Sequence, residues 1–128
     1  MTQKDKELLL KDLYARLPYG VKGIVEDGIK VTTPFEWPVE KSIEYSMRYM
    51  VIKNEWRPYL FPLSSMTEEQ KKELEDTLIK MNLKAISDEI NGEDIAAYEI
   101  DFYNKHHIDY RGLIPMGLAI DASGKNIY

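Results

Sequence analysis

The clearest pattern in the chain is a set of leucines at helical spacing near its start. Leu10, Leu13 and Leu17 recur every three or four residues, the period of an amphipathic helix. Thr2 can cap such a helix, because its hydroxyl can accept a hydrogen bond from an unpaired N–H of the first turn. The sequence therefore predicts a first helix over residues 3–17.

The next part of the chain shows patterns that are typical of strands. Residues 21–26 and 29–33 are rich in β-formers and flank Asp27-Gly28, a dipeptide that favours a tight hairpin turn. Residues 43–51 alternate between apolar and polar side chains, which places alternate residues on opposite faces of a strand. We therefore expect a hairpin followed by a strand with one buried face.

A short strand is also expected at residues 59–61. Pro58 and Pro62 flank it, and proline cannot donate a hydrogen bond to a neighbouring strand, so this strand is expected at a sheet edge. Residues 108–120 contain two glycines and a proline. We expect this last stretch to be extended and to dock on the core.

Two further helices are predicted in the second half of the chain. Thr67 and Gln70 have the spacing of a capping box, so a second helix should begin there. Its Lys and Glu residues are expected to form a solvated face. Residues 82–92 show no clear pattern, and a third helix is expected over residues 94–106. The narrow apolar stripe of the second helix consists of Leu74, Leu78 and Met81.

The order of these elements predicts an α+β fold in a single domain spanning residues 1–128. About three helices should pack mainly on one face of a small antiparallel sheet. The predicted strands follow one another without crossover helices, which argues against a parallel, Rossmann-type sheet. A chain of 128 residues can bury roughly two-thirds of the surface that it exposes when unfolded.

Composition narrows the function classes. The chain has no cysteine, which excludes a disulfide scaffold, thiol catalysis and thiolate metal sites and fits a reducing compartment. Its net charge is −5, whereas proteins that bind duplex nucleic acid usually carry a basic excess. No stretch approaches the roughly 20 apolar residues of a membrane helix. We therefore expect a cytoplasmic protein with neither a membrane nor a nucleic acid as its partner.

Three blocks of sequence resemble a known family. They are LLLKDLYARLPYGV at residues 8–21, RPYLFPLSSMTEE at residues 57–69 and NKHHIDYRGLIP at residues 104–115. In content and order they look like a family of small uncharacterised proteins found in gut-bacterial genomes, their phages and mobile elements. Because that family has no assigned activity, the resemblance implies a phage or mobile-element setting and no particular chemistry.

The candidate catalytic residues are His106, His107 and Asp109. Imidazole and carboxylate groups can act as general acids and bases or bind metal ions. Adjacent helical residues point about 100° apart, so the two histidines are poorly spaced to chelate one ion. No metal or cofactor is therefore expected. A purely structural role is the competing interpretation, with one histidine packing and the other ending the third helix.

Aromatic residues supply the candidates for partner binding. Nine tyrosines and two tryptophans outnumber three phenylalanines, and amphipathic aromatic side chains are common on protein-binding surfaces. Core packing is the alternative role for such residues. The candidate partner-binding residues are Trp37, Trp56, Tyr59 and Tyr110.

Two functions follow from these observations. The favoured one is a non-enzymatic accessory or interaction protein that binds another protein or a second copy of itself, since no motif in the sequence specifies a reaction. The alternative is a metal-dependent or acid/base enzyme centred on His106, His107 and Asp109.

Overall fold

The computed structural model describes residues 1–32 and 43–128, with residues 43–47 and 54 described through their backbone alone. Four α-helices and five short strands in this part of the chain form an α+β fold, which confirms the predicted class. The helices are α1 (Gln3–Arg16), α2 (Ile43–Asn54), α3 (Glu68–Ile86) and α4 (Gly92–Lys105). The strands are β1 (Lys22–Ile24), β2 (Lys30–Thr32), β3 (Arg57–Pro62), β4 (Ile108–Asp109) and β5 (Ile120–Asp121).

The sheet is mixed, so the expectation of a wholly antiparallel sheet is wrong. β1 pairs antiparallel with β2, as the predicted hairpin requires, and antiparallel with β3 on its other side. β3 then pairs parallel with both β4 and β5. Parallel pairing is available because α3 and α4 form a long crossover that returns the chain to β3 in the same direction.

Strand β3 lies inside the sheet, and the predicted edge position is wrong. Its prolines are tolerated because they occupy positions near the strand ends, Pro58 opposite Gly23 and Pro62 opposite Asp109. The residues between them remain free to take part in the sheet. For example, the Phe61 N–H donates to the His107 carbonyl at 2.8 Å.

Residues 43–54 form helix α2, and the strand predicted over residues 43–51 is wrong. Met50 and Val51 are both buried, whereas Arg48 and Tyr49 are both exposed. Successive residues of a strand point to opposite faces, so two neighbours that are both buried or both exposed fit a helix instead. Helix α2 packs against α1, where the Lys6 ammonium donates to the carbonyl of Ile52 at 3.0 Å. Packing on α1 therefore decides the structure of this segment against its local alternation.

The core lies where α1 and α2 meet the sheet and the last part of the chain. Trp56 is its largest side chain, packing directly on Gly23, and its Nε1 donates to the carbonyl of Val31 at 3.3 Å. Burial of this indole N–H with a partner is what a core tryptophan requires. The buried core cluster contains Leu9, Leu10, Leu13, Val21, Val31, Met50, Val51, Trp56, Leu60, Leu113, Leu118 and Ala119.

Helices α3 and α4 pack against each other and are joined by residues 87–91. The predicted Thr67–Gln70 capping box is present at the start of α3. The stretch without a clear pattern, residues 82–92, contains the end of α3 and the connection. Helix α4 begins two residues earlier than predicted, because Asn91 caps it in a box with Asp94. Within residues 1–32 and 43–128, no helix combines the length and apolar character that crossing a membrane requires.

Candidate partner-binding surface

The two histidines close helix α4 but contact different neighbours. The His106 ring lies 4.5 Å from the Phe102 ring, between centroids, and its Nδ1 is 3.5 Å from Nε2 of Gln70. His107 adopts a left-handed backbone conformation with φ 58°. Its ring stacks on Tyr128, with centroids 3.7 Å apart and planes 11° from parallel. Each ring is therefore held by packing on an aromatic neighbour.

The environment of His107 disfavours its charged form. Burial above all, together with the nearby Arg16, His106 and Lys22, lowers the pKa of His107 to about 4. A base with so low a pKa accepts a proton weakly near neutral pH. The imidazole is better suited to stacking than to proton transfer.

Asp109 is committed to the backbone that follows β4. One carboxylate oxygen accepts the N–H of Leu113 and the other accepts the N–H of Ile114, both at 2.8 Å. The carboxylate is buried and holds the turn that returns the chain to the core. It shapes the fold instead of orienting either histidine. Among the residues described, no group of three or more His, Cys, Asp or Glu side chains is placed to hold a metal ion.

A buried ion cluster joins α1 to the last part of the chain. Arg16 donates to both carboxylate oxygens of Asp12, at 2.8 and 3.2 Å, and to the carbonyl of Ile108 at 2.8 Å. Arg111 donates to the same Asp12 carboxylate at 3.1 Å. The carboxylate therefore serves two guanidinium groups, and its role is to anchor structure.

Tyr110 packs onto that cluster. The guanidinium carbons of Arg16 and Arg111 lie 5.2 and 5.0 Å from its ring centroid, within the range of cation–π contacts. The Tyr103 ring stacks on it at 5.6 Å. Half-buried among these groups, Tyr110 has an internal packing role that accounts for its position.

Of the other candidate aromatic residues, two are described by the structure, and both are buried. Trp56 is fully buried and Tyr59 is nearly so, so neither side chain presents a surface to a partner, and their expected role in partner binding is wrong. The physical reason is that β3 and the residue before it lie in the interior of the fold. Trp37 lies outside the described residues.

Three exposed aliphatic side chains lie in a row along α3 instead. Ile79, Leu83 and Ile86 are 53, 61 and 81% exposed. Their spacing of four and three residues places them on one face of the helix. This row is called the α3 face below, and the described part of the chain leaves it uncovered.

The α3 face is separate from the face that packs on α4. Leu74 is buried and Leu78, Met81 and Ala85 are half-buried on the inner side of the helix. At about 100° per residue, the exposed row begins roughly 100° around the helix from Leu78. Apolar side chains thus cover more of α3 than one neighbouring helix requires.

A shallow groove extends the α3 face toward the start of the helix. Its volume is about 300 Å³, and Leu74, Leu78 and Ile79 line its apolar part. Lys71 and Glu75 also line the groove. Exposed apolar side chains next to charged ones are common on protein-binding surfaces.

The apolar stripe predicted for α3 leaves these residues out, although their signal is present in the sequence. The Lys and Glu residues of the helix are predicted to form a solvated face, and these three residues lie among them. Ile79, Leu83 and Ile86 form a second stripe with the same helical period. A second stripe is the available signal that a helix has two contacts to make.

Comparisons with known proteins do not identify a function for the chain. No protein-family model, curated protein or solved structure matches the chain.

Proposed function

We propose that this chain is a non-enzymatic protein-interaction module whose docking surface is the α3 face. The observation that carries the proposal is the exposure of Ile79, Leu83 and Ile86 in one row, beside an inner row that already packs on α4. When a partner covers a contiguous strip of exposed aliphatic side chains, removal of their apolar surface from water stabilises the complex. Ile79, Leu83 and Ile86 are the large apolar side chains of α3 that the fold leaves exposed to water.

The geometry of the row favours a helical partner. Anchors at positions i, i+4 and i+7 are the pattern by which one amphipathic helix packs on another. Burying each of the three side chains contributes up to about 1.5–3 kcal/mol. Association and side-chain ordering offset part of that gain, so a specific complex of moderate affinity is expected.

The remaining candidate chemistry supports the same proposal indirectly. His107 stacks on Tyr128 and Asp109 holds two backbone amides. These contacts are a sufficient structural reason for His107 and Asp109, two of the residues on which the enzyme alternative depends. The proposal retains the cytoplasmic setting, the protein partner and the phage or mobile-element family that the sequence led us to expect.

Affinity capture with two matched variants tests the proposal. Leu83→Glu places a charge in the centre of the α3 face, and Ile29→Glu does so at a position outside α3 with the same exposure, 61%. Both variants should fold. Proteins retained from a native extract by the unmodified chain should be lost with Leu83→Glu and kept with Ile29→Glu. Equal retention by all three chains would contradict the proposal.

A further inference from the structure

Charge is distributed unevenly over the molecule. The α3–α4 hairpin, residues 68–105, contains 11 acidic and 5 basic residues, a net charge of −6. The other 90 residues contain 11 acidic and 12 basic residues. The whole negative excess of the protein therefore belongs to the hairpin that carries the α3 face.

The acidic excess is concentrated at the tip of the hairpin. Residues 88–101 contain six acidic residues and no basic one. Asp88, Glu89, Glu93 and Asp94 are all exposed, and they follow Ile86, the most exposed residue of the α3 face. The apolar row thus ends beside a cluster of exposed acidic side chains.

From this arrangement we infer that the partner of the α3 face is a basic amphipathic helix of another protein. This inference rests on the proposed function and names the chemistry of its partner. The apolar row of the partner helix covers Ile79, Leu83 and Ile86, while its Lys and Arg residues meet the acidic tip. Complementary charge of this kind steers encounter and fixes orientation more than it adds affinity.

The same charges disfavour a second copy of the chain as the occupant. A dimer through the α3 face would bring two hairpins of net charge −6 together. Charges that approach within the screening length of about 8–10 Å at physiological salt still repel each other. Lys80 and Lys84, which flank the row on one side, are already included in that net charge.

Titration calorimetry with two designed peptides tests the inference. Both peptides are helical and share one leucine row, but one has Lys and the other Glu at every flanking position. The Lys peptide should bind at least about tenfold more tightly at low salt, and the difference should shrink as salt is added. Leu83→Glu should abolish binding of the Lys peptide.

Two double variants locate the charge effect. Glu89→Gln with Glu93→Gln removes two of the four exposed negative charges at residues 88–94 of the tip, and Glu69→Gln with Glu73→Gln removes the same charge from the exposed first turns of α3. The tip variant should show a clearly smaller preference for the Lys peptide, whereas the control variant should keep the full preference.

The outcomes separate this inference from the proposed function. Equal binding of both peptides, or of neither, would overturn the basic partner. A dimer in sedimentation analysis that Leu83→Glu dissociates would replace it with a second copy and leave the docking role of the α3 face intact. Peptide binding that Leu83→Glu leaves unchanged would overturn both, because the α3 face would then not be the docking surface.

Discussion

Arg16 is fully buried against Asp12, one turn earlier on α1, with its Nε donating to the carboxylate at 2.8 Å. The same guanidinium donates to the carbonyl of Ile108 in β4. The pair thus connects the first helix with a strand that is 92 residues away in sequence. It explains how a two-residue strand keeps its place beside β3.

Removing one member of this pair should be costly. Asp12→Ala leaves the buried Arg16 charge unpaired, and we expect the free energy of unfolding to fall by about 3–5 kcal/mol in chemical denaturation. Glu7→Ala is the control, because it breaks the exposed Glu7–Arg48 pair at 3.3 Å and should cost no more than about 1 kcal/mol. Similar small losses in both variants would show that the buried pair is not an anchor.

Trp56 packs closely on Gly23, so a larger residue at position 23 should destabilise the fold. A Cβ added at Gly23 would overlap the indole ring, so Gly23→Ala should lower the free energy of unfolding by about 1–3 kcal/mol. Gly92→Ala is the matched control, since a Cβ there meets open space at the start of α4. It should leave stability unchanged or raise it by up to about 1 kcal/mol. Equal effects at both glycines would contradict the packing.

The stacked pair of His107 and Tyr128 predicts a pH dependence. With the pKa of His107 lowered to about 4 in the folded chain against about 6.5 when unfolded, the unfolded state binds the extra proton first. Stability should therefore be unaffected well above pH 6.5 and should fall as the pH drops from 6.5 toward 4.

Histidine NMR checks this value directly. The His107 ring signals should titrate near pH 4 in the folded protein. Tyr128→Ala removes the stacked ring and part of the burial, so the pKa should move up toward 6.5. A midpoint near 6.5 in the unmodified chain would contradict the buried, stacked position.

Exposure of the α3 face predicts that it contributes little to folding. Leu83→Ala removes a side chain that is 61% exposed, so the free energy of unfolding should change by no more than about 0.5 kcal/mol. Leu13→Ala, the same substitution in the core, should cost about 2–5 kcal/mol. Comparable losses measured by thermal or chemical denaturation would place Leu83 in the core and remove the docking surface.

Local signals account for the parts of the fold that the sequence predicted well. Thr2 and Thr67 precede helices α1 and α3, and their hydroxyls cap the first turns as expected. The β1–β2 hairpin forms beside Asp27-Gly28, where the Gly28 N–H closes the turn on the Val25 carbonyl at 2.9 Å and Gly28 has φ 84°. Each of these features depends on residues that are close together in the chain, so it can be predicted from the sequence.

Tertiary contacts account for the parts that it did not. The alternation in residues 43–51 gave way to a helix because α2 packs on α1. The prolines around β3 are compatible with an interior strand because they lie near its ends. Burial of Trp56 depends on the residues that surround it in space, and its amphipathic ring gave no indication of which side it would face.

Methyl NMR of the labelled chain in an unlabelled extract of the cell that makes it tests the docking surface most directly. Ile79 and Ile86 lie on the α3 face, and the buried Ile108 is the internal reference. We expect shifts of the Ile79 and Ile86 methyl signals, an unchanged Ile108 signal and no shifts in Leu83→Glu. Unperturbed Ile79 and Ile86 signals, or shifts confined to methyl groups elsewhere in the molecule, would contradict it.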